Sequence, residues 1–429
     1  LAADTQGVFA HGGNPKVIYF ISRRTGSLVS TDAGRTWRPI HATPAPGLDR
    51  EGNWKRTFGG GHTAILGDPR SATAAVAYSH ATLWRSQDDP AAFADSSTGF
   101  TGYAWGWWRG GMAFHPTDRQ RFRLLCFDIG SVETRNGGAW FERDRLPYEW
   151  VRDGTVHWSG MYNGSHQPRE GSEVVVASAG RYWDNRLVRS ADSGETWAVV
   201  EDDTENYFFV GFHPTDPDLV FAGTKRSSDA GRSFEPIEGL RPWAGYVVGI
   251  APGRPDTIYA ISGDRRAVLR SDDRGATWRQ YARPGWTLSV FSPSPLFAVH
   301  PTDPDRIYSL DRDGDLAEFD GRAWRSLNVL EHVGASRPRN CVVQVVFDPR
   351  RPEVVYAATH TCGLPFLFRS LDGGQTWRDI SGNLPRIGGG GLAVSPWTGE
   401  VFIGGCCGTR VFPPPYDSPD ALYHRLAER

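Results

Sequence analysis

Ser30–Trp37 reads STDAGRTW, and the same eight-residue phrase returns along the chain. It is SADSGETW at Ser190–Trp197, SSDAGRSF at Ser227–Phe234, SDDRGATW at Ser271–Trp278 and SLDGGQTW at Ser370–Trp377. Recurrence of this kind marks one supersecondary unit used many times. The residue types are those of a hairpin turn. An Asp side chain accepts hydrogen bonds from N–H groups of its own turn. The Gly two residues on suits a backbone position with φ > 0. The closing Trp or Phe starts the next strand and can cover the turn with an apolar ring. These Asp residues read as structural staples, not catalysts.

The phrase resembles the Asp-box, or bacterial neuraminidase repeat, which joins the third and fourth strands of a β-propeller blade. Weakened copies fall in the gaps, at Ser86–Asp88, Thr134–Trp140 and Asp320–Trp324. A second repeat precedes the boxes: HPTD at 115–118, HPTDP at 213–217 and 300–304, and DPRRP at 348–352. Each lies between two apolar runs, as a tight turn between two strands does. His115, His213 and His300 sit in this turn and read as part of the repeat. The blade order is therefore strand, HPTDP turn, strand, loop, strand, box, strand. The expected fold is all-β: a single propeller of eight four-stranded antiparallel blades, with seven as the alternative. It spans 1–429 as one domain, closed by N- and C-terminal strands, with the boxes on one face.

The 429 residues include 17 Trp and 12% aromatic side chains, ample for packing between blades. Neither a long apolar span nor a heptad pattern is present, so no membrane insertion is expected. A net charge of −2 points to no nucleic-acid partner. Two Met, with none at the first position, fit a mature exported chain or simply a chosen boundary. Of the five Cys, Cys341 and Cys362 fall on neighbouring strands where a disulfide is feasible. Cys406 and Cys407 are adjacent, so a bridge between them would be strained; reduced thiols are the alternative. Oxidised cysteines would agree with a secreted or periplasmic location. Asn163-Gly164-Ser165 is a glycosylation sequon.

Strand polarity puts the boxes and HPTDP turns at one face. The opposite face receives the second-to-third-strand loops and the connections between blades, where repeat folds usually carry function. Its loops hold His80, Asp128, Trp183, Asp184, Asp264, Asp311, Asp313, His360 and the Cys406–Cys407 pair. Its connections hold Trp54, His62, Trp105, Trp107, Arg109, Tyr148, Trp150, Trp243 and Trp286. Indole faces stack on pyranose rings while carboxylates bind sugar hydroxyls, so a glycan cleft is expected there. The competing reading gives many of these Trp to the seams between blades.

Asp128-Ile129-Gly130, just before a weakened box, resembles the Asp-[Ile/Val]-Gly-Gly signature of xyloglucan-cleaving propeller hydrolases. The second Gly is Ser131 here. That family pairs two propellers around a cleft, and this length suits one. The resemblance implies carboxylate acid/base catalysis on a polysaccharide or oligosaccharide. Asp128, Asp184, Asp311 and Asp313 are the candidate carboxyls, and like-charge crowding would raise one pKa for acid duty. Sialidases share the box but not the arginine signature, since Leu384–Ile387 carries it scrambled.

Two alternatives stand beside the hydrolase. Ulvan and rhamnose–glucuronate lyases are also single propellers. A lyase would take a His or Tyr base and an Arg neutraliser from His62, His80, His360, Arg109, Arg181 and Tyr182. A carbohydrate- or protein-binding propeller without catalysis is the other. The expected state is a monomer with no cofactor, and no metal-ligand spacing is visible.

Overall fold

The computed structural model describes residues 5–22, 26–43, 63–79, 82–95, 111–126, 130–137, 142–143, 150–152, 155–157, 160–181, 184–202, 207, 209–241, 246–288, 296–333, 341–360, 366–381, 391–405 and 408–412. They form an all-β structure in which most sheets have four antiparallel strands paired in chain order. A 3-10 turn at Val329–Val333 is the one helical element among them. The chain divides into two compact units, residues 1–102 with 139–142, and residues 103–138 with 143–429.

The first unit holds two sheets. One pairs Thr5–His11, Asn14–Ser22, Leu28–Ser30 and Arg38–Pro39. The other pairs Thr63–Gly67, Ala75–Ser79, Thr82–Ser86 and Ala92–Asp95, with His41–Thr43 added in parallel at its edge. Alternate residues of both sheets meet in one core built on Tyr19, Ile21, Val29, Ile65, Ala77, Trp84 and Phe93. Period-two burial of this kind is what a pleated strand dictates.

The second unit repeats the same meander. Its first sheet includes Met112–Phe114, Phe122–Cys126 and Gly130–Thr134, and a two-stranded hairpin at Trp150–Arg152 and Thr155–His157 follows. The second to sixth sheets begin at Gly160, Val210, Tyr246, Phe297 and Cys341. The seventh, Gly391–Val394, Val401–Gly405 and Gly408–Phe412, has three strands. Neighbouring sheets share apolar cores. Phe221, Val247 and Ala260 join the third to the fourth, and Tyr259, Val299 and Phe319 join the fourth to the fifth. Tyr308, Val342 and Phe368 join the fifth to the sixth. Second-strand aromatics recur at one position, Phe221, Tyr259, Tyr308 and Tyr356, each fully buried.

Within the second unit the C-terminal sheet meets the first: Phe402 packs its ring 5.9 Å from Phe114 and 5.2 Å from Phe122.

The repeated phrase closes the connection from third to fourth strand in every full copy. The Ser hydroxyl donates to the Asp carboxylate, at 2.8 Å for Ser30 and Asp32 and 2.7 Å for Ser271 and Asp273. The same Ser Oγ accepts the Gly N–H, at 2.8 Å for Gly34 and 2.7 Å for Gly275. The residue before that Gly is also left-handed: Ala33 at φ 62°, Ser193 at 54°, Ala230 at 61° and Arg274 at 60°. The reason is a further hydrogen bond. Each of these N–H groups donates across to the second strand's approach, to Lys16 O, Glu173 O, Asp218 O and Asp256 O respectively.

The HPTD histidines are staples as well. His115 Nδ1 accepts the Asp118 N–H at 3.1 Å, and its Nε2 lies 3.4 Å from Ser172 O of the next sheet. His11 makes the matching contact with Ala74 O at 2.9 Å. Gln167 takes this part in the second sheet, donating to Pro217 O at 2.8 Å. The sequon asparagine is spent internally: Asn163 is buried and its amide donates to Tyr207 O at 3.1 Å.

Candidate functional site

Because strands pair consecutively and antiparallel, first-to-second and third-to-fourth turns share one end of each sheet. The second-to-third loops occupy the other. Register fixes where the expected site residues enter. Cys126 pairs with Gly130 around residues 127–129, and Arg181 pairs with Asp184 around 182–183. Ser79 pairs with Thr82 around 80–81, and Gly405 with Gly408 around 406–407. Asp184 opens the third strand of its sheet, and His360 ends a second strand opposite Cys341. Trp150 opens the two-stranded hairpin, opposite His157. Asp128, His62, His80, Trp105, Trp107, Arg109, Trp183 and Trp243 lie outside the described residues, as do Trp54, Tyr148, Tyr182, Cys362, Cys406 and Cys407.

The loops of the fourth and fifth sheets of the second unit are described in full. In the fourth, the Ser262 hydroxyl donates to Asp264 Oδ1 at 2.6 Å, and the Arg266 N–H donates to the same oxygen at 3.0 Å. The Ser262 hydroxyl, then the Arg266 N–H, hold the Asp264 carboxyl below its ordinary range, with Arg283 and Arg266 charges helping. Asp264 is thus suited to remain an anion, not to deliver a proton. In the fifth, Asp311 Oδ1 accepts the N–H groups of Asp313 and Asp315 at 2.8 and 3.0 Å. That makes Asp311 a cap for its own turn. Asp313 is open to solvent beside Arg312, at 3.5 Å.

Trp286 sits on the connection leaving the fourth sheet. Its indole N–H donates to Leu310 O at 2.8 Å, and its ring meets Trp324 edge-on at 5.6 Å. It remains half-buried, so it braces the seam and still presents part of its ring.

Two features of this end were absent from the sequence reading. Asp315 is buried, and its carboxylate accepts from Leu316, Val329 and Leu330 at 2.7, 3.0 and 3.2 Å. Burial pushes its carboxyl up, against the pull of those backbone donors. It anchors the 3-10 turn that follows the fifth sheet; a buried polar residue sandwiched between Gly and Leu was the available signal. Lys225 and Glu201 form an ion pair between the third and second sheets. Nothing in the local sequence links those two positions. No group of His, Cys, Asp and Glu among the described residues could hold a metal ion.

No protein-family model matches the chain. It is 24% identical over 279 residues to xyloglucanase Xgh74A of Acetivibrio thermocellus, covering 52% of this chain and 32% of that protein. It is 26% identical over 191 residues to the oligoxyloglucan-reducing end-specific xyloglucanase of Emericella nidulans, covering 40% and 23%. The chain thus spans about a third or less of the curated relatives' length. Among solved structures, the GH74 xyloglucanase from Xanthomonas campestris superposes with a TM-score of 0.58 at 18% identity, over 96% of this chain and 59% of that one. YCF48 from Cyanidioschyzon merolae superposes with a TM-score of 0.50 at 16% identity, over 72% and 95%. These likenesses establish a shared, propeller-like all-β fold.

Proposed function

We propose that this chain belongs to a glycoside hydrolase acting on a polysaccharide of the xyloglucan kind. The observation that carries the reading is the sequence match to xyloglucanases over about half the chain. Register agrees with it: Cys126 pairs with Gly130, and these are the described residues that flank the hydrolase-like motif in sequence. Asp128 serves as one member of a carboxyl pair, one protonating the glycosidic oxygen and the other activating water. Asp184 enters at the same end of the adjacent sheet and is the candidate partner. His360 is the reserve base.

The second unit supports a seven-bladed ring, since its seventh sheet meets its first through Phe402. An extracytoplasmic location suits a polymeric substrate.

The test is a polysaccharide screen of wild type and Asp128→Asn, reading reducing ends and the ultraviolet absorbance of unsaturated uronates together. The substitution keeps shape and removes proton chemistry. New reducing ends without the chromophore, lost in the folded variant, support the proposal. Unsaturated products point to a lyase. Full turnover in Asp128→Asn removes that residue from the mechanism.

A further inference from the structure

The second-to-third loop of the fourth sheet is held rigidly. Besides the Asp264 bonds, the Ala267 N–H donates to Ser262 Oγ at 2.9 Å, and Leu288 N–H donates to Arg265 O at 2.7 Å. Arg265 takes up a left-handed φ of 57° at its tip. Arg266 faces outward from this frame, and Arg283 follows Ala282, which pairs with Val268 at the end of the same loop. Both are exposed. Both lie close enough to favour the Asp264 anion, yet neither closes an ion pair with any carboxylate among the described residues. That contrasts with Arg270 of the same sheet, which is locked onto Asp272 and Asp305.

Two guanidiniums against one carboxylate leave this rim locally cationic. Asp264 keeps its second oxygen free of bonds from the described residues, so it can accept a sugar hydroxyl. Trp286 lies on the segment that the Leu288–Arg265 bond ties to this loop, and it presents part of an indole fixed by its bond to Leu310 O. Planar guanidiniums pair with carboxylates through two parallel hydrogen bonds. We propose that this rim is a subsite for an acidic sugar: Arg266 and Arg283 take the carboxylate of a uronate, and Asp264 with Trp286 hold its ring. The proposal rests on the glycan-active reading above and adds a charge preference that a neutral xyloglucan backbone does not require.

The experiment measures binding of the intact protein, by calorimetry, to galacturonate oligomers, to neutral xylogluco-oligosaccharides of equal length, and to polyaspartate. Arg266→Gln with Arg283→Gln is the variant, at exposed positions where folding is undisturbed. Galacturonate binding should fall about tenfold in the variant, while neutral-glycan binding stays unchanged. It should also weaken as salt shortens the screening length. Equal affinity of wild type for the neutral and acidic oligomers, or an unchanged variant, overturns the subsite and leaves the hydrolase reading standing. Polyaspartate binding as tightly as galacturonate would reduce the rim to non-specific charge attraction, which also overturns it. Failure to bind any glycan overturns both.

Discussion

His166 packs its ring against His115, with centroids 5.2 Å apart, in the seam between the first two sheets of the second unit. Neither ring nitrogen of His166 has a hydrogen-bond partner among the described residues. Burial, followed by the nearby Arg123, His115 and Arg121 charges, pushes its pKa well below the ordinary 6.5. Glu173 acts on His115, and both it and Glu133 are engaged by Arg121. His166 is therefore neutral in the fold.

The consequence is a stability that declines in acid. The unfolded chain takes up a proton below about pH 6.5 that the folded chain refuses, so stability falls as pH drops through that value. One such group gives a slope of about 1.4 kcal/mol per pH unit. Denaturant melts between neutral and mildly acidic pH should show this slope, and His166→Phe should flatten much of it. An unchanged slope in the variant would assign the effect elsewhere, with His115 next in line because it shifts the same way.

The turn carboxylates behave in the opposite sense. The Thr277 hydroxyl, the Ser271 hydroxyl and the Thr277 N–H hold Asp273 down to about 2. Thr36 and Ser30 do the same for Asp32, also about 2. The support these anions give the turns is present above the unfolded value of 3.8 and is lost as pH falls towards about 2. Carboxyl carbon shifts followed by NMR should titrate there; a midpoint near 4 for Asp273 would contradict the hydrogen bonding.

Ser271→Ala tests the same turn from its buried side. Ser271 Oγ accepts the Gly275 N–H at 2.7 Å inside the protein. Its loss strands a buried donor, at a cost of about 1–3 kcal/mol. Thermal unfolding should move down by several degrees, whereas Ser228→Ala, one residue into an exposed turn, should leave it unchanged.

Glu318 is a second buried anchor. Its side chain is 1% exposed, and it accepts from Tyr308 OH at 2.9 Å and from Arg306 and Arg325. Glu318→Gln removes the charge that both arginines face, and should cost about 2 kcal/mol or more. Glu318→Gln melting at the wild-type temperature would mean solvent already satisfies those arginines.

Asn163 should stay unmodified in a glycosylating host despite its sequon. Its amide is buried and committed to Tyr207 O. Intact mass of the folded, secreted protein decides this, and a glycan at Asn163 would show that modification precedes strand pairing.

The turns were legible in the sequence because their energetics are local. Ser30, Asp32, Gly34 and Thr36 close their hydrogen bonds within one phrase, so the phrase alone dictates a hairpin wherever it occurs. Alternating apolar runs on either side then dictate strands, and consecutive hairpins dictate antiparallel sheets with loops sorted to two ends. What no short window contains is the choice of neighbour. Phe402 against Phe114 depends on shapes meeting across most of the second unit. The left-handed Ala33, Ser193, Ala230 and Arg274 are set by carbonyls in another strand, which hold residues where a Cβ is disfavoured. Burial decided the rest: it committed the Asn163 amide to Tyr207 O, held the His166 pKa down and turned Asp315 into an anchor. The sequence specified the hairpins through bonds inside each turn; only the tertiary structure, through packing between distant sheets, decided which polar groups lost water and which faces met.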